Sequence, residues 1–153
     1  MHGRDLMRRS LDPSRVMGDY DFVHRVRTRF AETDAMGVIH HGAYAPYLEE
    51  ARVAMLRHAG HSYDELHGAG TDLVVLELYV RYRRPLRFDE VVDIWVTVGA
   101  LTPATFQMAY LLEVGGETRS TAVSVHGAVS SGGRPSRLPK WLAALGAPGP
   151  GTS

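Results

Sequence analysis

One change of hydrophobic period constrains this chain more than any other feature. Between residues 44 and 59 the apolar residues recur at helical spacing, and from Asp72 onward they recur at every second residue. Tyr44, Tyr47, Leu48, Ala51, Met55 and His58 share one helical face, while Glu49, Glu50, Val53 and Arg57 lie largely opposite. Pro46 stands in the first turn, where its missing N–H costs nothing, and Gly60 stands just past the end. The pattern predicts one long amphipathic helix from Tyr44 to Ala59, with His58 as a core histidine on its apolar face. Ala43, Ala45, Ala51 and Ala54 are small enough to let a sheet approach the helix backbone closely.

The period-2 part divides into four strands. Val74, Leu76, Leu78, Val80 and Tyr82 share a parity in the first, which ends at Pro85, and Val92, Ile94, Val96 and Val98 do so in the second. Phe106, Met108, Tyr110 and Leu112 mark the third, and Gly115-Gly116 makes a tight hairpin into the fourth. In that last strand, residues 118–129, the apolar parity holds Thr121, Val123 and Val125. Short connections at 85–90, 99–104 and 115–116 predict that these four strands form an antiparallel meander. Ahead of the helix, residues 22–31 alternate loosely and read as a fifth strand with a basic, solvated face. The fold class is therefore α+β, one long helix against a five-stranded antiparallel sheet. Shorter helical pieces are expected at 62–66 and 140–145.

One helix cannot cover both faces of five strands. The second face mixes Val75, Tyr79, Val91, Trp95 and Leu111 with charges, a pattern expected of a subunit interface, so a homodimer or homotetramer is predicted. The 153 residues suit a single domain over 20–145, with residues 1–19 as a disordered leader and 146–153 as a flexible tail. Lys+Arg and Asp+Glu balance at 17 each, which implies no general attraction to nucleic acid or to an anionic membrane. The chain has no cysteine, which excludes disulfides, Cys-ligated zinc and a Cys nucleophile. It also has no apolar run long enough to span a membrane and no secretory h-region, so a cytoplasmic place is expected.

No GxSxG elbow, GxxxxGK[ST] loop or GxGxxG turn occurs. Among the eight histidines, His40-His41 and His58-x-x-His61 are close pairs, but neither has the i,i+4 spacing of a helical zinc site, so no metal or other cofactor is expected. What remains is Asp34, on a turn just ahead of the helix. The first N–H groups of a helix lack intrahelical partners and favour negative charge. Near His41 and Gly42 they would polarise a bound carbonyl, with Asp34 acting on it as nucleophile or as general base for water. With no Ser–His pair, such a site needs an acyl group that is already activated, and a thioester fits.

The stretch ETDAMGVIHHGAYAPYLEEAR resembles the signature of the 4-hydroxybenzoyl-CoA thioesterase family of the hot-dog fold, including bacterial acyl-CoA thioesterases of the Tol-Pal-associated type. Thr33-Asp34, Gly37, His41, Tyr44 and Glu50-Ala51-Arg52 carry the resemblance, which extends over about residues 21–140. It implies that Asp34 is the catalytic carboxylate and that the His41 N–H holds the thioester carbonyl. His40 departs from the family, which often has an apolar or aromatic residue there, so either imidazole could face the substrate. Gly37 and Tyr44 would help form the substrate site. Coenzyme A would lie in an interface groove, its phosphates near Arg81, Arg83, Arg84 or Arg87. Three substrates or roles follow: hydrolysis of an acyl-CoA or aryl-CoA, hydrolysis of a thioester on an acyl carrier protein, or acyl-CoA binding without catalysis. A hot-dog hydratase is excluded, because its histidine–acid signature differs from the Thr-Asp-x-x-Gly turn.

Overall fold

A computed structural model describes residues 11–146. Five antiparallel strands form one sheet: β1 (Phe22–Arg27), β2 (Thr71–Tyr82), β3 (Val91–Leu101), β4 (Thr105–Val114) and β5 (Glu117–Ser130). The long helix α1 (Tyr44–His58) packs across it, and two short helices, α2 (Tyr63–Gly68) and α3 (Lys140–Gly146), lie nearer its margins. The predicted α+β architecture is the one observed.

The strand order is β1-β3-β4-β5-β2. The expected four-strand meander is therefore wrong in one place: β3, β4 and β5 are sequential neighbours, but β2 pairs with β5 and β1 takes the free edge of β3. The connection from β2 to β3 crosses the end of the sheet and is tied there by Arg119 of β5. Its guanidinium binds Glu90 through two bonds of 2.8 and 2.9 Å and the Pro85 carbonyl at 2.7 Å. That bidentate pair holds the Glu90 carboxyl below its ordinary pKa. The connection at 85–90 reads as a hairpin in sequence; the Arg119 side chain that ties it sits about thirty residues away.

The helix forms where the period placed it. Tyr44, Tyr47, Leu48, Ala51 and Met55 are buried together with Leu56, packed with Ile94, Phe106, Met108, Tyr110 and Leu112 of the sheet. Burying one such aliphatic or aromatic side chain contributes roughly 1.5–3 kcal/mol. His58 departs from expectation. It is exposed, its ring against Phe22 at 5.1 Å, and Arg52 is buried in the helix in its stead. His58 lies in the last turn against the half-buried Phe22 of the edge strand β1, whereas Arg52 lies at mid-helix beside Tyr110.

Two other parities also change. In β5 the helix-facing residues are Ser120, Ala122, Ser124, His126 and Ala128; the first four pair in register with Leu112, Tyr110, Met108 and Phe106 of β4, and Ala128 pairs with Leu73 of β2. Thr121, Val123 and Val125 point to the other face, yet they are buried as well, so both parities of β5 are covered. In β2 a bulge inserts Leu76 between the Val75–His126 and Glu77–Val125 pairs, and its side chain lies over Gly127. The bulge breaks the strict alternation that the sequence suggested. Leu76 and Leu78, expected inside, are 54% and 40% exposed.

The predicted second face is only partly open. Leu111 is fully buried and Trp95 half-buried, while Val75, Tyr79 and Val91 are exposed. Of the leader expected over 1–19, residues 1–10 lie outside the described part. Residues 11–19 are described, and Met17–Asp19 form a 3₁₀ turn that leads into the buried Tyr20. The tail from residue 147 likewise lies outside the described residues.

Candidate active site

Asp34 sits on a turn that its own side chain closes. Its Oδ1 accepts the Met36 N–H at 2.8 Å and the Val38 N–H at 3.2 Å, while its backbone exchanges hydrogen bonds with Val38 and Gly37. Gly37 adopts φ +80°, a left-handed conformation that any side chain would strain. Among the described residues, Asp34 Oδ2 bonds to nothing. One carboxylate oxygen is thus spent on the turn and the other is left for chemistry.

The chain after this turn runs beside the β2–β3 connection. The Ile39 N–H donates to the Leu86 carbonyl at 2.7 Å, and Val38 bridges Arg87. A 3₁₀ turn, His41–Ala43, then opens α1. The first backbone bond of this entrance is from the Ala43 N–H to the His40 carbonyl at 3.0 Å, so the His41 and Gly42 N–H groups precede the helical ladder, as an oxyanion site requires. The His40 ring lies against Gly42: a Cβ there would meet its Nδ1 at 3.0 Å. A larger residue here would have to push that exposed ring aside.

Glu32 binds this segment to the helix. It accepts the Tyr47 hydroxyl, the Arg29 N–H and the Arg29 guanidinium, and its carbonyl accepts the His40 N–H at 2.9 Å. Burial works to raise the Glu32 pKa, but the bonds from Tyr47 and Arg29 outweigh it and hold the carboxyl below its ordinary value. Glu32 therefore stays charged, and the Asp34 turn is hung from the first turns of α1.

These pieces enclose an open cleft of about 470 Å³ lined by Asp34, Val38, Ile39, His40, His41, Tyr44, Tyr82, Arg83, Arg84 and Pro85. The sequence-predicted residues Asp34, His41, Tyr44, Arg83 and Arg84 thus share one cleft, and His40 shares it with His41. Gly37 is not on its wall and serves the turn instead. Tyr44 is 2% exposed, burial raises its phenol pKa, and its ring meets Tyr82 edge-on at 4.9 Å, which makes it a wall that stays protonated. The backbone N–H groups of Arg83 and Arg84 both donate to the Arg119 carbonyl at 2.9 Å, which fixes them at the mouth. Arg84 then pairs with Glu117 at 3.5 Å.

Tyr82 and the Val38–Ile39 wall went unnoticed in sequence. Their signal was available but weak: Tyr82 ends the β2 run just before Arg83-Arg84-Pro85, and Val38-Ile39 is an apolar pair inside an otherwise polar loop. Among the described residues no three His, Asp or Glu side chains gather as a metal-ligand set, and no helix is long and apolar enough to cross a membrane.

Comparison with known proteins gives a consistent picture. Residues 28–145 match the thioesterase-like superfamily. The acyl-CoA thioester hydrolase YbgC of Escherichia coli is 34% identical over 76 residues, which are 50% of this chain and 57% of that protein. The chain thus spans little more than half the length of that relative. A hypothetical protein of Aquifex aeolicus has a similar structure, with a TM-score of 0.78 and 32% identity over 82% of this chain and 98% of that one. The DHNA-CoA thioesterase of Staphylococcus aureus superposes with a TM-score of 0.75 at 27% identity, covering 80% of this chain and 83% of that one.

Proposed function

This chain is an enzyme of the thioesterase-like superfamily, and on that premise we propose that it hydrolyses an acyl-CoA or aryl-CoA thioester to the free acid and coenzyme A. The observation that carries the reading is the half-engaged Asp34 carboxylate in one cleft with the entrance of α1. The thioester carbonyl would lie at the His41 and Gly42 N–H groups, which stabilise the oxyanion as it forms. Asp34 Oδ2 would attack the carbonyl carbon or take a proton from the attacking water; both routes need the same carboxylate in the same place. The C–S bond breaks and the thiolate takes a proton, from Asp34 on the general-base route or from solvent on the nucleophilic one. On the nucleophilic route water then hydrolyses the acyl–Asp34 anhydride to the free acid and returns the carboxylate. The His40 and His41 rings stand beside this path and can orient water. Tyr44, Tyr82, Val38 and Ile39 form the apolar wall for the acyl group, and Arg83 and Arg84 meet the anionic carrier. The reading needs no resident metal or cofactor.

Within the superfamily, the Thr33-Asp34 turn followed by Gly37, His41 and Tyr44 supports assignment to the 4-hydroxybenzoyl-CoA type. A thioester borne on an acyl carrier protein would use the same site with a different surface at the mouth. The thiol released from a panel of aliphatic and aromatic acyl-CoA esters tests the reaction directly. Turnover of at least one ester, unchanged after exhaustive chelation, is expected. A chain that binds the esters without releasing thiol would be a binding protein instead, and activity restored only by a divalent ion would bring the histidines back as ligands.

The same reading includes assembly into a homodimer or homotetramer in the cytoplasm. The sheet ends on β2, twelve residues long, whose Val75, Leu76, Leu78, Tyr79 and Tyr82 are all exposed. An edge strand this long and apolar is an aggregation hazard unless something covers it. Tyr82 belongs to the cleft wall, so the cover would continue into the site. Light scattering at micromolar concentration is expected to give the mass of two or four chains; an active species at the single-chain mass of 16.9 kDa would remove both the interface and the groove for coenzyme A.

A further inference from the structure

Arg83, on the cleft wall, and Arg81, two residues before it on β2, are already engaged by a carboxylate from the segment ahead of the sheet. Asp12 Oδ1 accepts from Arg83 Nη2 at 2.8 Å, and its Oδ2 lies 3.5 Å from Arg81 Nη1. Arg83 lines the cleft, its side chain is 21% exposed, and its Nε is buried without a partner. Two guanidiniums converging on one pair of oxygens is how arginines hold phosphate as well as carboxylate. Arg83 is fixed by its backbone bond to Arg119, whereas Asp12 is half exposed and lies eight residues ahead of the buried Tyr20. An anion arriving at Arg83 could therefore displace Asp12 without moving the sheet, and an ion pair this exposed is weak enough to yield.

We propose that Asp12 is a specificity-determining residue: its carboxylate occupies the Arg81–Arg83 subsite as an internal competitor of the phosphates on the thioester's carrier. With Asp12 in place, the cleft selects anionic carriers less strongly than its arginines alone would. The proposal rests on the acyl-CoA reading above. It also assigns a task to residues 11–19 that a passive leader would not have.

The test compares the parent chain, Asp12→Asn and Arg83→Gln on one acyl group carried either by coenzyme A or by uncharged N-acetylcysteamine. Asp12→Asn is expected to raise the kcat/KM ratio of the coenzyme A ester over the uncharged ester roughly two- to fivefold, the range of an exposed ion pair. Arg83→Gln is expected to lower the same ratio. Calorimetric titration with adenosine bisphosphate, the nucleotide end of coenzyme A, should tighten by a similar factor in Asp12→Asn, with the gain shrinking between ~0.05 and ~0.5 M salt. Improved selectivity cannot arise from a damaged fold. Hydrolysis of both esters with an unchanged ratio in Asp12→Asn overturns the proposal and leaves the hydrolase reading standing. If neither ester is hydrolysed the hydrolase reading fails, and the titration still decides: tighter binding in Asp12→Asn upholds the competition, equal binding overturns it.

Discussion

Asp34→Asn is expected to lower kcat by a factor of about 10² to 10⁴ while the protein stays folded, the cost of removing a nucleophile or general base from a site otherwise intact. The two functions of this side chain are carried by different oxygens. Oδ1 accepts the Met36 and Val38 N–H groups, and an asparagine carbonyl oxygen can accept both as well. Stability should therefore stay within about 1 kcal/mol of the parent, the scale of one hydrogen bond. An amide in place of Oδ2 neither attacks a carbonyl nor takes a proton from water. Asp34→Glu should also be poor, because an added methylene shifts the carboxylate relative to a carbonyl held at the helix entrance. Binding of a non-hydrolysable acyl-CoA analogue, measured beside turnover, separates lost chemistry from a lost site. Near-parental turnover in the Asn variant would reduce Asp34 to a turn residue and move the non-catalytic acyl-CoA-binding reading ahead.

The second large effect concerns acid. His126 is fully buried on the helix-facing side of β5, stacked on Phe106 at 4.9 Å, with its Nε2 2.6 Å from Ser124 Oγ, which also meets the Tyr110 hydroxyl at 2.6 Å. Burial pushes its pKa down to about 3, and the buried Arg52 cation adds to the shift. The imidazole is neutral in the folded protein, whereas in the unfolded chain it takes a proton near pH 6.5. Below that pH the unfolded state binds more protons than the folded one, so stability falls as pH drops and the loss is complete near pH 3. At about 1.4 kcal/mol per pH unit, this one group is expected to cost roughly 4–5 kcal/mol across the window. Urea midpoints measured between pH 7 and 4 should drop more steeply in the parent than in His126→Gln, which keeps a polar side chain but does not titrate. Parallel curves would mean that His126 is protonated in the folded state and the cluster is organised differently.

Local patterns made much of this protein legible before any coordinates. The run from Tyr44 to His58 has a helix period and a proline in its first turn; of its expected sheet-facing alanines Ala51 is buried, but Ala45 is exposed and Ala54 half-buried. Period and proline are properties of neighbouring residues alone. The same holds for the Gly115-Gly116 hairpin, where both residues have positive φ, and for the Asp34 turn, whose hydrogen bonds span no more than four residues. Asp34 and the helix entrance at His41 were visible as candidates in this way, whereas Tyr44, Arg83 and Arg84 came from the family resemblance. Their meeting in one cleft depends on the Ile39–Leu86 bond, which joins residues 47 apart.

Tertiary contacts decided what periodicity could not express. β2 pairs with β5 along its length, and Arg119 ties the connection beyond it through Glu90 and Pro85; no spacing of apolar residues encodes either contact. Alternation identifies two faces of a strand but not which one meets the helix, and in β5 both are buried, so Val123 looked like the core residue while Ala122 and His126 took the position under α1. His58 shares the apolar helical face yet is exposed, while Arg52 is buried at mid-helix: burial follows the distance to a partner, which a helical wheel does not contain.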